Sequence, residues 1–63
     1  MQKYNGIGTT GKAADLKMER HDSEGSVLFR ITEYYDNGRS GQHPVILSKE
    51  KVKQLIADLV LIL

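Results

Sequence analysis

Between residues 14 and 21 apolar and charged side chains alternate, with Ala14, Leu16 and Met18 on one side and Asp15, Lys17, Glu19 and His21 on the other. A period of two predicts a strand with one buried face. The polar run Asp22-Ser23-Glu24-Gly25-Ser26 then supplies a glycine for positive φ and predicts a hairpin turn. Residues 27–35 are rich in β-branched and aromatic types and predict the best strand of the chain. Val27, Phe29 and Ile31 share one of its faces, and Leu28, Arg30, Thr32 and Tyr34 share the other. Asp36-Asn37-Gly38 signals a second turn, read as a longer loop through His43. Pro44 is expected to open a short third strand over residues 45–47, a place where its missing N–H does little harm.

At Ser48 the period changes. Ser48 suits an N-cap, and Glu50 suits the positive end of a helix dipole. Val52, Leu55, Ile56, Leu59 and Leu63 recur at helical spacing and predict a stripe that packs on the sheet face carrying Leu16, Met18, Phe29, Ile31, Val45 and Leu47. Residues 55–63 contain Asp58 as their one polar side chain, so Val60, Leu61 and Ile62 fall outside the stripe and leave the helix end apolar all round. Such a helix must be buried all round. Leu59, Val60, Leu61, Ile62 and Leu63 are therefore the expected interface of a homodimer, and a segment continuing past Leu63 is the alternative cover.

The first 13 residues break both periods. Gly6, Gly8 and Gly11 accompany only Tyr4 and Ile7 as sizeable apolar groups, and glycine at this density loses much backbone entropy on ordering. The expectation is a flexible Gly-rich arm over residues 1–13, with a short strand around residues 3–7. Residues 14–63 are then a single β-β-β-α domain. The fold class is α+β, a three-stranded antiparallel meander, or four-stranded with the arm, packed against one C-terminal helix.

Composition narrows this further. A chain of 63 residues buries only about 60% of its unfolded surface, and small domains need disulfides, metals or oligomerisation as added support. There is no cysteine, and His21 and His43 alone cannot form a structural metal site. Oligomerisation is the support that remains. Nine Lys or Arg against eight Asp or Glu leave a formal charge of +1, which permits a nucleic-acid partner without advertising one. Residues 1–6 carry no apolar signal-peptide core, and the apolar tail is far short of the roughly 20 residues that span a bilayer. A soluble cytoplasmic protein with no membrane contact is expected.

Three constellations invite chemistry. Residues 6–12 fit the phosphate-cradling spacing G-x-x-x-x-G-K, but Ala13 stands where a Ser or Thr hydroxyl would hold Mg²⁺. The following segment also alternates like a strand rather than opening a helix. A looser role survives, in which Lys3 and Lys12 lie against a phosphate backbone. His21-Asp22-Ser23-Glu24 collects metal-compatible groups, yet a turn needs the same residues. Glu33 and Asp36 flank Tyr34-Tyr35 with nothing nearby that suggests acid–base work. No catalytic residue, metal or cofactor is expected. The sheet face away from the helix is the better candidate. It carries Arg30, Thr32 and Tyr34 beside Lys17 and His21, and cations interleaved with an aromatic suit single-stranded nucleic acid.

Residues 29–35 (FRITEYY), an Asp/Gly turn, residues 45–48 (VILS), then Glu50 and Leu55, resemble the positive-cofactor-four family of transcriptional coactivators. That family has a strand reading I-D-I-R-E-Y-W/Y, a glycine-containing acidic turn, a K-P-G-K-K-G-I-S-L strand and a helix opening E-Q-W-x-x-L. The resemblance covers residues 27–56. It implies a curved antiparallel sheet with a C-terminal helix, a homodimer, and binding of single-stranded or melted DNA on the sheet. Arg39 takes the place of the first loop lysine and Gly41 that of the loop glycine. Gln42 and His43 replace two loop lysines, Pro44 a glycine, Thr32 an arginine and Val52 a tryptophan, so much of the family's phosphate-binding charge is missing.

The expected function is a small, non-catalytic nucleic-acid-binding accessory protein, related to transcription or replication, that acts as a dimer on single-stranded DNA or RNA. Lys17, Arg30, Tyr34 and Arg39 would contact backbone and bases, with Lys3 and Lys12 contributing from the arm. The competing class is a protein-interaction module, such as a small phage- or plasmid-type regulator or inhibitor that binds a host protein through a sheet edge or the apolar helix.

Overall fold

The computed structural model describes residues 2–63. Four strands run in chain order, β1 (Gln2–Ile7), β2 (Ala13–Arg20), β3 (Val27–Tyr34) and β4 (Ser40–Leu47), and α1 (Lys49–Ile62) follows. The strands form one open antiparallel sheet in the order β1-β2-β3-β4. The fold is thus α+β, a four-stranded meander with a C-terminal helix.

Each hairpin is closed by local chemistry. Between β1 and β2 the Gly8 amide donates to the Lys12 carbonyl at 2.7 Å, and Gly11 turns the chain at φ 86°. Between β2 and β3 the Asp22 carboxylate accepts from the amides of Glu24 (2.9 Å) and Ser26 (3.1 Å), with Gly25 at φ 99°. Between β3 and β4 the Asn37 side chain accepts from the Arg39 amide at 3.0 Å, with Gly38 at φ 79°. These are the side-chain-to-backbone bonds that make Asp and Asn turn formers.

Two expectations change. The short strand anticipated around residues 3–7 is β1, slightly longer than expected and paired with β2 from Gln2↔Met18 to Ile7↔Ala13, which makes the four-stranded alternative the observed one. Its ladder to β2 offsets the entropy that its glycines lose. Met1 lies outside the described residues. The loop after Gly38 is also shorter than expected, because β4 begins at Ser40 and Pro44 sits in its interior opposite Arg30. The Tyr35 amide bonds the Arg39 carbonyl, and bonded pairs alternate along an antiparallel ladder. Pro44 therefore falls at a non-bonded pair, and its nitrogen faces the open sheet edge, where no donor is needed.

Register sorts the side chains. Tyr4, Leu16 and Ile31 lie side by side across three strands, as do Met18, Phe29 and Val45, with Val27 opposite Leu47. This is the helix-side face. Ser48 caps α1 as expected, its Oγ accepting from the Lys51 amide at 3.4 Å. The helix meets one end of the sheet, where Val52, Leu55, Ile56 and Leu59 border a groove of about 440 Å³ with Met18, Val27 and Phe29, as the stripe predicts. The cover it gives is thinner than expected. Ile56 and Leu59 are exposed, Leu63 is fully so, and Ile31 and Val45 lie open on the sheet. One 14-residue helix, about 21 Å long, cannot cover four strands of this length. Among the described residues no hydrophobic side chain is fully buried.

Candidate nucleic-acid interface

The face opposite the helix is polar, and its register brings cations together. Lys3 pairs with Lys17, and Lys17 pairs with Arg30, so three basic residues stand in a row across β1, β2 and β3. Like charges directly opposite one another destabilise a sheet. Lys17 and Arg30 form no ion pair among the described residues. The neighbouring row runs Asn5, Asp15, Thr32 and Gln42.

Asp15 and Thr32 are the buried residues of the described chain, at 9% and 7% exposure. The Tyr34 hydroxyl donates to Asp15 Oδ2 at 2.7 Å, and Lys3 Nζ approaches the same oxygen at 3.5 Å. Hydrogen bonding from Tyr34 holds the Asp15 carboxyl below the ordinary aspartate range, with help from the Lys3 and Lys17 charges and against the opposing effect of burial. The same bond, together with burial, pushes the Tyr34 phenol up. Tyr34 is nonetheless 43% exposed, so much of its ring remains available.

Lys3, Lys17, Arg30 and Tyr34 therefore share one surface, with Lys3 contributed by a strand rather than by an arm. Lys12 and Arg39 lie apart from it, in the loops at the end of the sheet. Lys12 is ion-paired with Asp36, which ties the two loops together and neutralises its charge. The G-x-x-x-x-G-K spacing closes a tight hairpin and opens no helix. His21 to Glu24 form the β2–β3 turn, where the Ser26 and Glu24 amides lower the Asp22 pKa. Among the described residues no His, Cys, Asp or Glu group gathers to hold a metal ion, and no helix is long and apolar enough to cross a membrane.

Sequence reasoning missed the central place of Asp15. Its alternation with Leu16 put it on the right face, but the bond to Tyr34 is a diagonal contact that exists only in the observed register. On the other face, His43 Nε2 lies 3.7 Å from Glu33 Oε1, and the Tyr35 ring closes over Gly41 so tightly that a Cβ there would sit 2.7 Å from its hydroxyl. Gly41 is thus a packing position in this chain. The chain matches no protein-family model, no curated protein and no solved structure.

Proposed function

We propose that this protein is a non-catalytic accessory factor that binds single-stranded DNA or RNA on its polar sheet face and works as a homodimer. The observation that carries the reading is the Lys3–Lys17–Arg30 row beside Tyr34. Lys17 and Arg30, adjacent and without an ion pair among the described residues, cost stability unless an anion lies over them, and phosphates spaced along a strand are such an anion, while Tyr34 offers a ring for a base. The resemblance to the positive-cofactor-four coactivators supports the same surface and a role in transcription or replication, and a cytoplasmic location belongs to the same proposal. Lys12, paired with Asp36, and Arg39 would touch a strand only where it leaves the sheet.

The dimer rests on the apolar side. No hydrophobic residue among those described is fully buried, so much of the main stabilising term of folding, about 1.5–3 kcal/mol for each Leu or Ile fully buried, is left unrealised within one chain. A second copy supplies it by covering Leu59 to Leu63 together with Ile31 and Val45. The same bare surface favours one competing reading, a regulator that docks this face on another protein. Fluorescence anisotropy with a labelled single-stranded oligonucleotide, at low and moderate salt, separates them. Binding that weakens steeply with salt reports phosphate contacts. No binding at low salt and tens of micromolar protein would sink the nucleic-acid reading and leave the docking one.

A further inference from the structure

A buried carboxylate is an odd occupant of a surface meant for phosphates. Asp15 adjoins the Lys3–Lys17–Arg30 row, and its charge opposes theirs. Yet it is the one charged residue that is buried among the described residues, and one of its oxygens joins three strands: Tyr34 of β3 at 2.7 Å and Lys3 of β1 at 3.5 Å meet Oδ2 on β2. Thr32 lies opposite Asp15, and Tyr34 stands two residues further along β3. The bond from Tyr34 to Asp15 is therefore diagonal, beside the Asp15–Thr32 pair, and Thr32 is itself buried at 7% exposure. Tyr34 itself remains 43% exposed.

We infer that Asp15 is a positioning residue for the single-strand surface: it tethers the Tyr34 hydroxyl and the Lys3 ammonium, so that a stacking platform and a phosphate-binding cation are ordered before a strand arrives. The inference rests on the nucleic-acid reading of this face. Stacking on a side chain that has already lost its rotamer freedom avoids part of the ordering cost of association. The tether also holds the hydroxyl inward, so Tyr34 presents its ring and not its polar end, which suits base stacking without regard to sequence. The pair persists through neutral pH, because the carboxyl is held low and the phenol is held high.

Electrostatics and positioning predict opposite signs for one substitution. If Asp15 merely adds negative charge to the face, Asp15→Ala tightens binding. If it positions, Asp15→Ala weakens binding although the face becomes more positive. The test is fluorescence anisotropy of the full chain with a labelled mixed-sequence DNA single strand, for wild type, Asp15→Ala, Asp15→Asn and Tyr34→Phe, each checked for folding by circular dichroism. Asp15→Ala is expected to weaken binding about tenfold, within the range of losing one stacked base. Tyr34→Phe keeps the ring, breaks the tether and should weaken binding comparably. The double variant should be no worse than either single one, because the two act through one bond. Asp15→Asn retains an acceptor for the hydroxyl and should keep most of the affinity. Asp15→Ala binding as tightly as wild type, or more tightly, would overturn the inference and leave the nucleic-acid reading standing. Wild type failing to bind at low salt would overturn both. Should Asp15→Ala not fold, Tyr34→Phe decides, since wild-type affinity in that variant refutes the tether.

Discussion

On the polar face of the sheet, Asp15 and Thr32 are buried, and the Asp15 carboxylate holds Tyr34 and Lys3. On the helix-side face of the same strands no hydrophobic residue is, and Ile31, Val45, Ile56 and Leu59 remain open. Ordinary small domains show the reverse, with an apolar core and a loose polar surface. The Asp15 cluster closes within one chain because hydrogen bonds need only a partner or two at the right distance. The apolar face is incomplete because hydrophobic stabilisation scales with area, and one short helix cannot supply the area.

The largest expected effect comes from breaking the apolar side. Leu59→Lys should convert dimer to monomer or unfolded chain, because a closed interface would leave the ammonium unpaired at roughly 3–5 kcal/mol. Light scattering at micromolar concentration reads the mass. A wild-type monomer there, or a Leu59→Lys chain with unchanged mass and melting temperature, would break the contrast between the faces. On the polar side, Arg30→Ala should weaken oligonucleotide binding across sequences and lower the salt slope by roughly one, with the fold unchanged. A loss of fold instead would show that the cation row is structural.

Smaller effects sharpen the comparison. Ser48→Ala removes the cap of α1 and should cost about 1 kcal/mol in denaturant unfolding. A much smaller loss would mean that the helix is held mainly by a partner. The acid limb of stability should depend on Asp15. Its folded pKa lies below the ordinary 3.8, so its contribution is present above that value and lost as pH falls through the folded pKa. Asp15→Asn should flatten the acid limb of a melting-temperature profile. An unchanged limb would assign acid sensitivity to other carboxylates, with Asp22 first among them because its pKa is lowered too.

Much of the fold was legible because its signals are local. The alternation from Ala14, the Gly25 and Gly38 turns and the Ser48 cap each follow from a few neighbouring residues. β1 was harder to read, since its glycines argue against order and its support comes from β2. Pro44 misled in a similar way, because whether it ends a strand or sits within one depends on which side of the ladder its nitrogen faces. The cations at 17 and 30 and the ring at 34 were legible as a surface, whereas their meeting with Lys3 and Asp15 was not.

By itself the sequence determined the element types, most of their bounds and which side chains alternate toward each face, because backbone propensity and capping act over a few residues. It also determined that the end of α1, from Leu59 to Leu63, is apolar all round. Only the tertiary structure decided the register, and with it the row of Lys3, Lys17 and Arg30 and the tether from Tyr34 to Asp15. It also decided how little of the apolar face α1 covers, since cross-strand neighbours and covered area come from the assembled sheet and not from any one segment.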